Sequence, residues 1–152
     1  MSESPAPLRP WDAHNQKLYA HVHPPDWVNP EPAPRYNLVV IGAGSAGLVP
    51  AGAAAAARAK LVLIEADRMG GDCLNTGCVP SKALIRAGRV AALTRRAGDF
   101  GLSATAPSTD FPRVMARVRR VIERIERHDS VERYTALGVE CVRGRARLTS
   151  PW

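Results

Sequence analysis

The chain has no long hydrophobic run. Its most apolar stretches, Leu38 to Ile41 and Leu61 to Ile64, are only strand-length, so no segment approaches a membrane span. The N-terminus has no apolar core of the kind a secretory signal needs, which sets the expectation of a cytoplasmic, reducing compartment. Lysine is scarce, at Lys17, Lys60 and Lys82, while arginine and alanine are abundant, a balance that fits a GC-rich coding bias. The net charge of +7 would ordinarily point to nucleic acid, but no aromatic-basic surface pattern or binding motif accompanies it, so no nucleic-acid partner is expected. No internal repeat is present. At 152 residues the chain can bury one core and no more.

What is present divides at about residue 35. Residues 1–35 form a proline-rich arm, with one short helix expected around Asp12 to Ala20. His21 and His23 could be two metal ligands, but no third lies nearby, and a solvated arm is the simpler reading. Trp11, Tyr19 and Trp27 suggest that the arm docks on something. Residues 36–152 carry the chemistry.

Asn37 to Ile41 reads as a buried parallel strand. Gly42-Ala43-Gly44-Ser45-Ala46-Gly47 is a G-x-G-x-x-G turn, an alanine-rich helix follows to about Ala59, and Lys60 to Glu65 is a second strand. Placed between a strand and a helix, with an acid eighteen residues on, this is a dinucleotide-binding pattern. Gly42 permits the tight turn, Gly44 lets the backbone approach a pyrophosphate, and Gly47 lets helix pack on strand. The helix start, at Ser45 and Ala46, offers amides and a favourable dipole to phosphate. Glu65 is expected to accept from ribose hydroxyls. The plain alternative is an ordinary strand-to-helix turn. Pro50 falls inside the expected helix and should kink it.

Next comes Gly70-Gly71-Asp72-Cys73-Leu74-Asn75-Thr76-Gly77-Cys78-Val79-Pro80-Ser81-Lys82. On a straight helix residues i and i+5 lie about 8.6 Å apart between Cα atoms, beyond the roughly 7 Å that a disulfide spans. Bridging Cys73 and Cys78 therefore needs a bend, for which Asn75 and Gly77 are suited. A helix start beside them would lower a thiol pKa. In this context the pair is a candidate redox dithiol. A structural disulfide, a half zinc site and two inert cysteines remain alternatives. Zinc wants four ligands, and Cys141 and His128 are distant with no second paired motif; no metal site is expected.

Ser81 to Ala97 reads as a helix, Gly98 to Thr109 as a loop, and Phe111 to Ala136 as one long amphipathic helix with Glu123 paired to Arg127. Val139 to Thr149 reads as a strand or hairpin edge. The fold class is α/β: a Rossmann-like dinucleotide-binding domain with a parallel sheet, incomplete, plus that long helix.

With the glycine turn, Glu65 and the cysteine motif together, residues 36–149 resemble the pyridine nucleotide–disulfide oxidoreductases, the mercuric reductase and dihydrolipoamide dehydrogenase branches above all. The resemblance implies FAD at the Gly42 turn, with Gly42, Gly44, Ser45, Ala46, Gly47, Glu65, Gly71, Asp72 and Lys82 as cofactor-binding residues. It implies catalytic roles for Cys73, Cys78 and Lys82. Cys73 would be the exposed thiol that attacks substrate, Cys78 would lie against the flavin, and Lys82 would sit near its N5. Asp72 stands where the family usually has threonine. Family members are several times longer. The resemblance implies that this is the N-terminal segment of a homodimeric enzyme that takes electrons from NAD(P)H to a disulfide or metal-ion substrate. A stand-alone FAD-binding or redox-sensing module, and a non-functional remnant, are the other readings.

Overall fold

The structure is a computed structural model that describes residues 8–105 and 107–150; residues 1–7 of the proline-rich arm, and 151–152 of the expected 36–152 segment, lie outside the described residues. Three strands, β1 (Leu38–Ile41), β2 (Leu61–Glu65) and β3 (Glu140–Arg143), form one sheet in the order β1-β2-β3. Both pairings are parallel, Leu38 opposite Leu61 and Val62 opposite Glu140. The helices are α1 (Ala13–Val22), α2 (Ser45–Ala56), α3 (Gly71–Asn75), α4 (Cys78–Arg95), α5 (Phe111–Ile125) and α6 (Val131–Ala136).

The expected strand–helix–strand unit is present. Continuous apolar runs rather than alternating ones specify strands covered on both faces, and in β2 both Leu61 and Leu63 are fully buried. In β1, Val39 and Ile41 remain 51 % and 57 % exposed. Val39 and Ile41 share one face of the sheet, open at the β1 edge, whereas Val40 on the opposite face is buried. The outer edge of β3 is covered by the arm instead. Asn29 exchanges two hydrogen bonds with the Arg143 backbone, and the Trp27 indole N–H donates to Cys141 O at 3.1 Å. Side chains thus occupy backbone groups that a bare edge would present to another chain.

α2 crosses from β1 to β2. It can do so because residue 47 is glycine: a Cβ there would stand 1.9 Å from Gly42 O. Gly42, at φ 93°, makes the turn that a side chain would resist. Pro50 does not break the helix, which runs six residues beyond it. The N–H it lacks would have made one bond close to the helix start, and its ring faces outward.

Two sequence expectations change. The Phe111–Ala136 pattern is not one helix. α5 ends at Ile125, a 3₁₀ turn spans Glu126–Asp129, and Ser130 then caps α6, its hydroxyl accepting from Arg133 N at 3.1 Å. Nor does Glu123 pair with Arg127: it meets His14 of α1 at 3.1 Å. The polar face of this amphipathic stretch is partly covered by α1, which buries Leu18 and Val22 and pairs His21 with the fully buried Glu126. Burying two such aliphatic side chains stabilises the docked helix by roughly 3–5 kcal/mol before the entropy of ordering it. In α4, Pro80 sits within the first turn, where no helical N–H partner is needed, so the helix starts at Cys78 rather than Ser81.

Candidate functional site

The glycine turn and the tip of β2 are joined by one side chain. Glu65, 8 % exposed, accepts from Ala43 N at 2.6 Å and from Asp67 N at 2.7 Å. Each carboxylate oxygen keeps a lone pair for a further donor. Gly44 N-caps α2 with no side-chain acceptor, which leaves the first-turn amides of Ser45 and Ala46 for an outside one. An added Cβ at Gly44 would meet nothing closer than Gly71 Cα at 3.9 Å.

The cysteine segment is fastened directly to this cradle. Gly70 N donates to Ala43 O at 2.8 Å, and Gly44 and Gly70 form a parallel bridge. A Cβ on Gly71 would stand 2.8 Å from Gly44 Cα, so the two backbones approach this closely because residue 71 is glycine. Cys73 lies in α3 and Cys78 opens α4, so the chain bends between them as a bridge requires. The bend is made differently from expectation. Asn75 is helical, and its side-chain N–H groups tie down Met69 O (3.1 Å) and Gly71 O (2.8 Å). Gly77 contributes space rather than a left-handed turn: its φ is −115°, but a Cβ would lie 2.9 Å from Asp72 O.

Cys78 is exposed and Cys73 half-buried in the chain as it stands; the expected order, with Cys78 against the flavin, concerns the cofactor-bound site. The Cys73 thiol is held above the ordinary thiol range rather than below it. The main cause is a hydrogen bond to Cys78; burial and the charges of Cys78 and Asp129 add to it, and Lys82 opposes it. Lys82, four residues after Cys78, projects from the same side of α4. Burial lifts the Asp129 carboxyl, with Arg133 and His128 acting against it. Cys141 is in the core on β3, its thiol pushed up to about 11 by burial.

A cavity of about 260 Å³ opens beside the cradle, lined by Glu65, Asp67, Arg68, Gly71, Asp72, Asn75 and Thr76. Asn75 Oδ1 is buried without a hydrogen-bond partner. Uncapped amides for a phosphate, a buried acid for hydroxyls and an unpartnered acceptor are donor and acceptor sets that fit a dinucleotide. His21 and His23, weighed above as ligands, turn to Glu126 and Asp67 O instead.

Comparison with known proteins gives this arrangement a family. The pyridine nucleotide-disulphide oxidoreductase profile matches residues 36–150. The chain belongs to that family. It is 37% identical over 93 residues to a dihydrolipoyl dehydrogenase of Bacillus subtilis, covering 61% of this chain and 20% of the relative. It is 28% identical over 145 residues to a mercuric reductase of Bacillus cereus, covering 95% and 23%. Among solved structures, LpdA of Mycobacterium tuberculosis superposes with a TM-score of 0.57 at 28% identity, over 74% of this chain and 24% of that one. The flavoprotein disulfide reductase RclA of Escherichia coli gives 0.54 at 26%, over 72% and 22%. The chain thus spans about a fifth of the length of the relatives it matches. Among the described residues no helix is long and apolar enough to cross a membrane.

Within this family site, sequence reasoning missed Asn75 as a clamp, Asp67 as a backbone donor to Glu65, and Asp129 as a charge felt by Cys73. Asn75 carried a signal, read as a turn. Asp129 sat in a charge run and carried none.

Proposed function

We propose that this chain forms the FAD-cradle and dithiol portion of a flavin-dependent disulfide oxidoreductase. The contact between Gly44 and Gly71 supports this most directly, because it places the cysteine helix immediately beside the phosphate-binding turn. Gly42, Gly44, Ser45, Ala46 and Gly47 would hold the pyrophosphate, Glu65 the ribose, and Gly71, Asp72 and Lys82 the remainder of the cofactor. FAD, when bound, would supply two-electron transfer between reduced nicotinamide and sulfur.

The chain's own chemistry lies at the cysteines. Reduction of a Cys73–Cys78 disulfide takes two electrons and two protons and leaves two thiols. In this assignment Cys78 would face the cofactor and Cys73 would meet the substrate. Cys73, as thiolate, attacks a substrate disulfide and one substrate thiolate departs, taking up a proton. Cys78 then attacks Cys73 Sγ, restores the internal bond and releases the second substrate thiol. A thiophilic metal ion would be bound by the same two sulfurs. Lys82 favours the thiolate form of Cys73, opposing the carboxylate of Asp129. Electrons from NAD(P)H and a homodimeric assembly belong to the whole enzyme in this reading. The exposed face of Val39 and Ile41 on β1 supports the packing of further chain there.

The test is titration of the purified chain with FAD, followed by flavin fluorescence, with NAD as competitor. FAD should bind saturably and more tightly than NAD. Gly44→Ala, which the fold has room for, should weaken it about tenfold or more by filling the cradle. Absence of saturable FAD binding, or NAD bound equally well, would refute the reading.

A further inference from the structure

The arm lies ahead of the residues that the family profile matches, yet it reaches the site at one place. Met69 N donates to Val22 O at 2.9 Å, and the His23 ring places Nδ1 against Asp67 O. His23 is 2 % exposed. Its Nε2 stands 3.5 Å from a guanidinium nitrogen of Arg143. A carbonyl can only accept and a guanidinium can only donate. The proton therefore sits on Nδ1 and the lone pair on Nε2, which makes the ring the neutral Nδ1–H tautomer. Tyr19 and Trp27 flank it, with centroids at 5.1 and 6.0 Å, and fix its plane.

The segment that His23 holds, Asp67 to Gly70, connects every part of the candidate site. Asp67 N reaches Glu65, Met69 O receives Asn75, Gly70 N reaches Ala43 O, and Gly71 begins the helix of Cys73. The segment is itself neither helix nor strand, so its position depends on what grips it.

We propose that His23 is a positioning residue of the cofactor–dithiol site. Its Nδ1–H bond to Asp67 O, with the adjacent Val22 O to Met69 N bond, fixes the Asp67–Gly70 segment. Through that segment it sets the placement of the cysteine helix against the phosphate-binding turn. The cofactor consequence rests on the FAD reading above; the mechanical one does not.

The test compares wild-type full chain with His23→Ala, His23→Asn, His23→Gln and the α5 core truncation Val118→Ala. Two quantities are read: amide hydrogen exchange at Met69 and Gly70 relative to β2, and FAD affinity. An asparagine N–H can stand in for Nδ1–H, whereas glutamine offers its N–H from the Nε2 position. His23→Ala and His23→Gln should speed relative exchange at Met69 and Gly70 and weaken FAD, each about tenfold. His23→Asn should recover most of both. Val118→Ala should leave the exchange ratio as in wild type. An unchanged ratio in His23→Gln, or equal ratios in His23→Asn and His23→Gln, overturns the proposal. Wild type that binds no FAD refutes the cofactor reading, and the exchange ratio then decides the role of His23 by itself. If His23→Ala does not fold, the Asn–Gln contrast carries the same decision.

Discussion

The glycine cradle and the cysteine pair touch each other but are held by different means. In the cradle, position is set by sterics and a buried charge: Gly47 admits no side chain, and both oxygens of Glu65 are bonded to backbone amides. At the cysteines, position is set by a few polar contacts around the five-residue α3, chiefly the Asn75 clamp and Gly77 N to Asp72 O. The sulfurs themselves hold little structure. Cys78 is exposed, and the principal partner of Cys73 is Cys78. On the proposed function, a dithiol that makes and breaks a covalent bond sits where few other contacts depend on it, and a phosphate cradle that has to keep one shape sits where packing enforces it.

This contrast can be broken most sharply at Gly47. Gly47→Ala places a methyl 1.9 Å from Gly42 O, a backbone atom that cannot step aside. Denaturant unfolding should show a loss of about 3 kcal/mol or more. Glu65→Gln keeps shape and volume but turns one acceptor into an amide donor facing a backbone N–H. The expected loss is about 2 kcal/mol by the same measurement. The cysteines should behave in the opposite way. Cys78→Ala should change stability by only about 0.5 kcal/mol or less, while shifting the chemistry of its neighbour. The bond to Cys78 favours the protonated form of Cys73, so its removal should move the pH midpoint of Cys73 alkylation by iodoacetamide downward. An upward or null shift would mean that Cys78 is not the main cause. Large destabilisation in Cys78→Ala would erase the distinction between the two regions.

Much of the cradle was legible in the sequence because its determinants are local. A buried run, a glycine turn and an acid closing the next run specify strand, turn and tip within thirty residues, and β1, β2 and Glu65 lie where that pattern puts them. The bend between the cysteines was legible as a need but not in its means, since Asn75 acts through its side chain and Gly77 through an absent Cβ. The hydrogen bond that lifts the Cys73 thiol was not legible, because it depends on how α3 and α4 pack. The apolar stripe that begins at Phe111 stops at Ile125, where α5 ends, but the charged residues that follow hid the cap at Ser130. The pairing of His14 with Glu123 and of His21 with Glu126 spans more than a hundred residues, so no local pattern announces it. Docking of α1 by those pairs is what buries Glu126, a residue whose composition and spacing read as solvated.

The most direct test of the account is peptide mapping of the folded chain after mild oxidation and again after reduction. The account predicts an intramolecular Cys73–Cys78 disulfide that forms with loss of two hydrogens, leaves Cys141 as a free thiol, and reopens fully under a dithiol reductant. Failure of Cys73 and Cys78 to join each other, or a bond between them that resists reduction in the folded state, would contradict it.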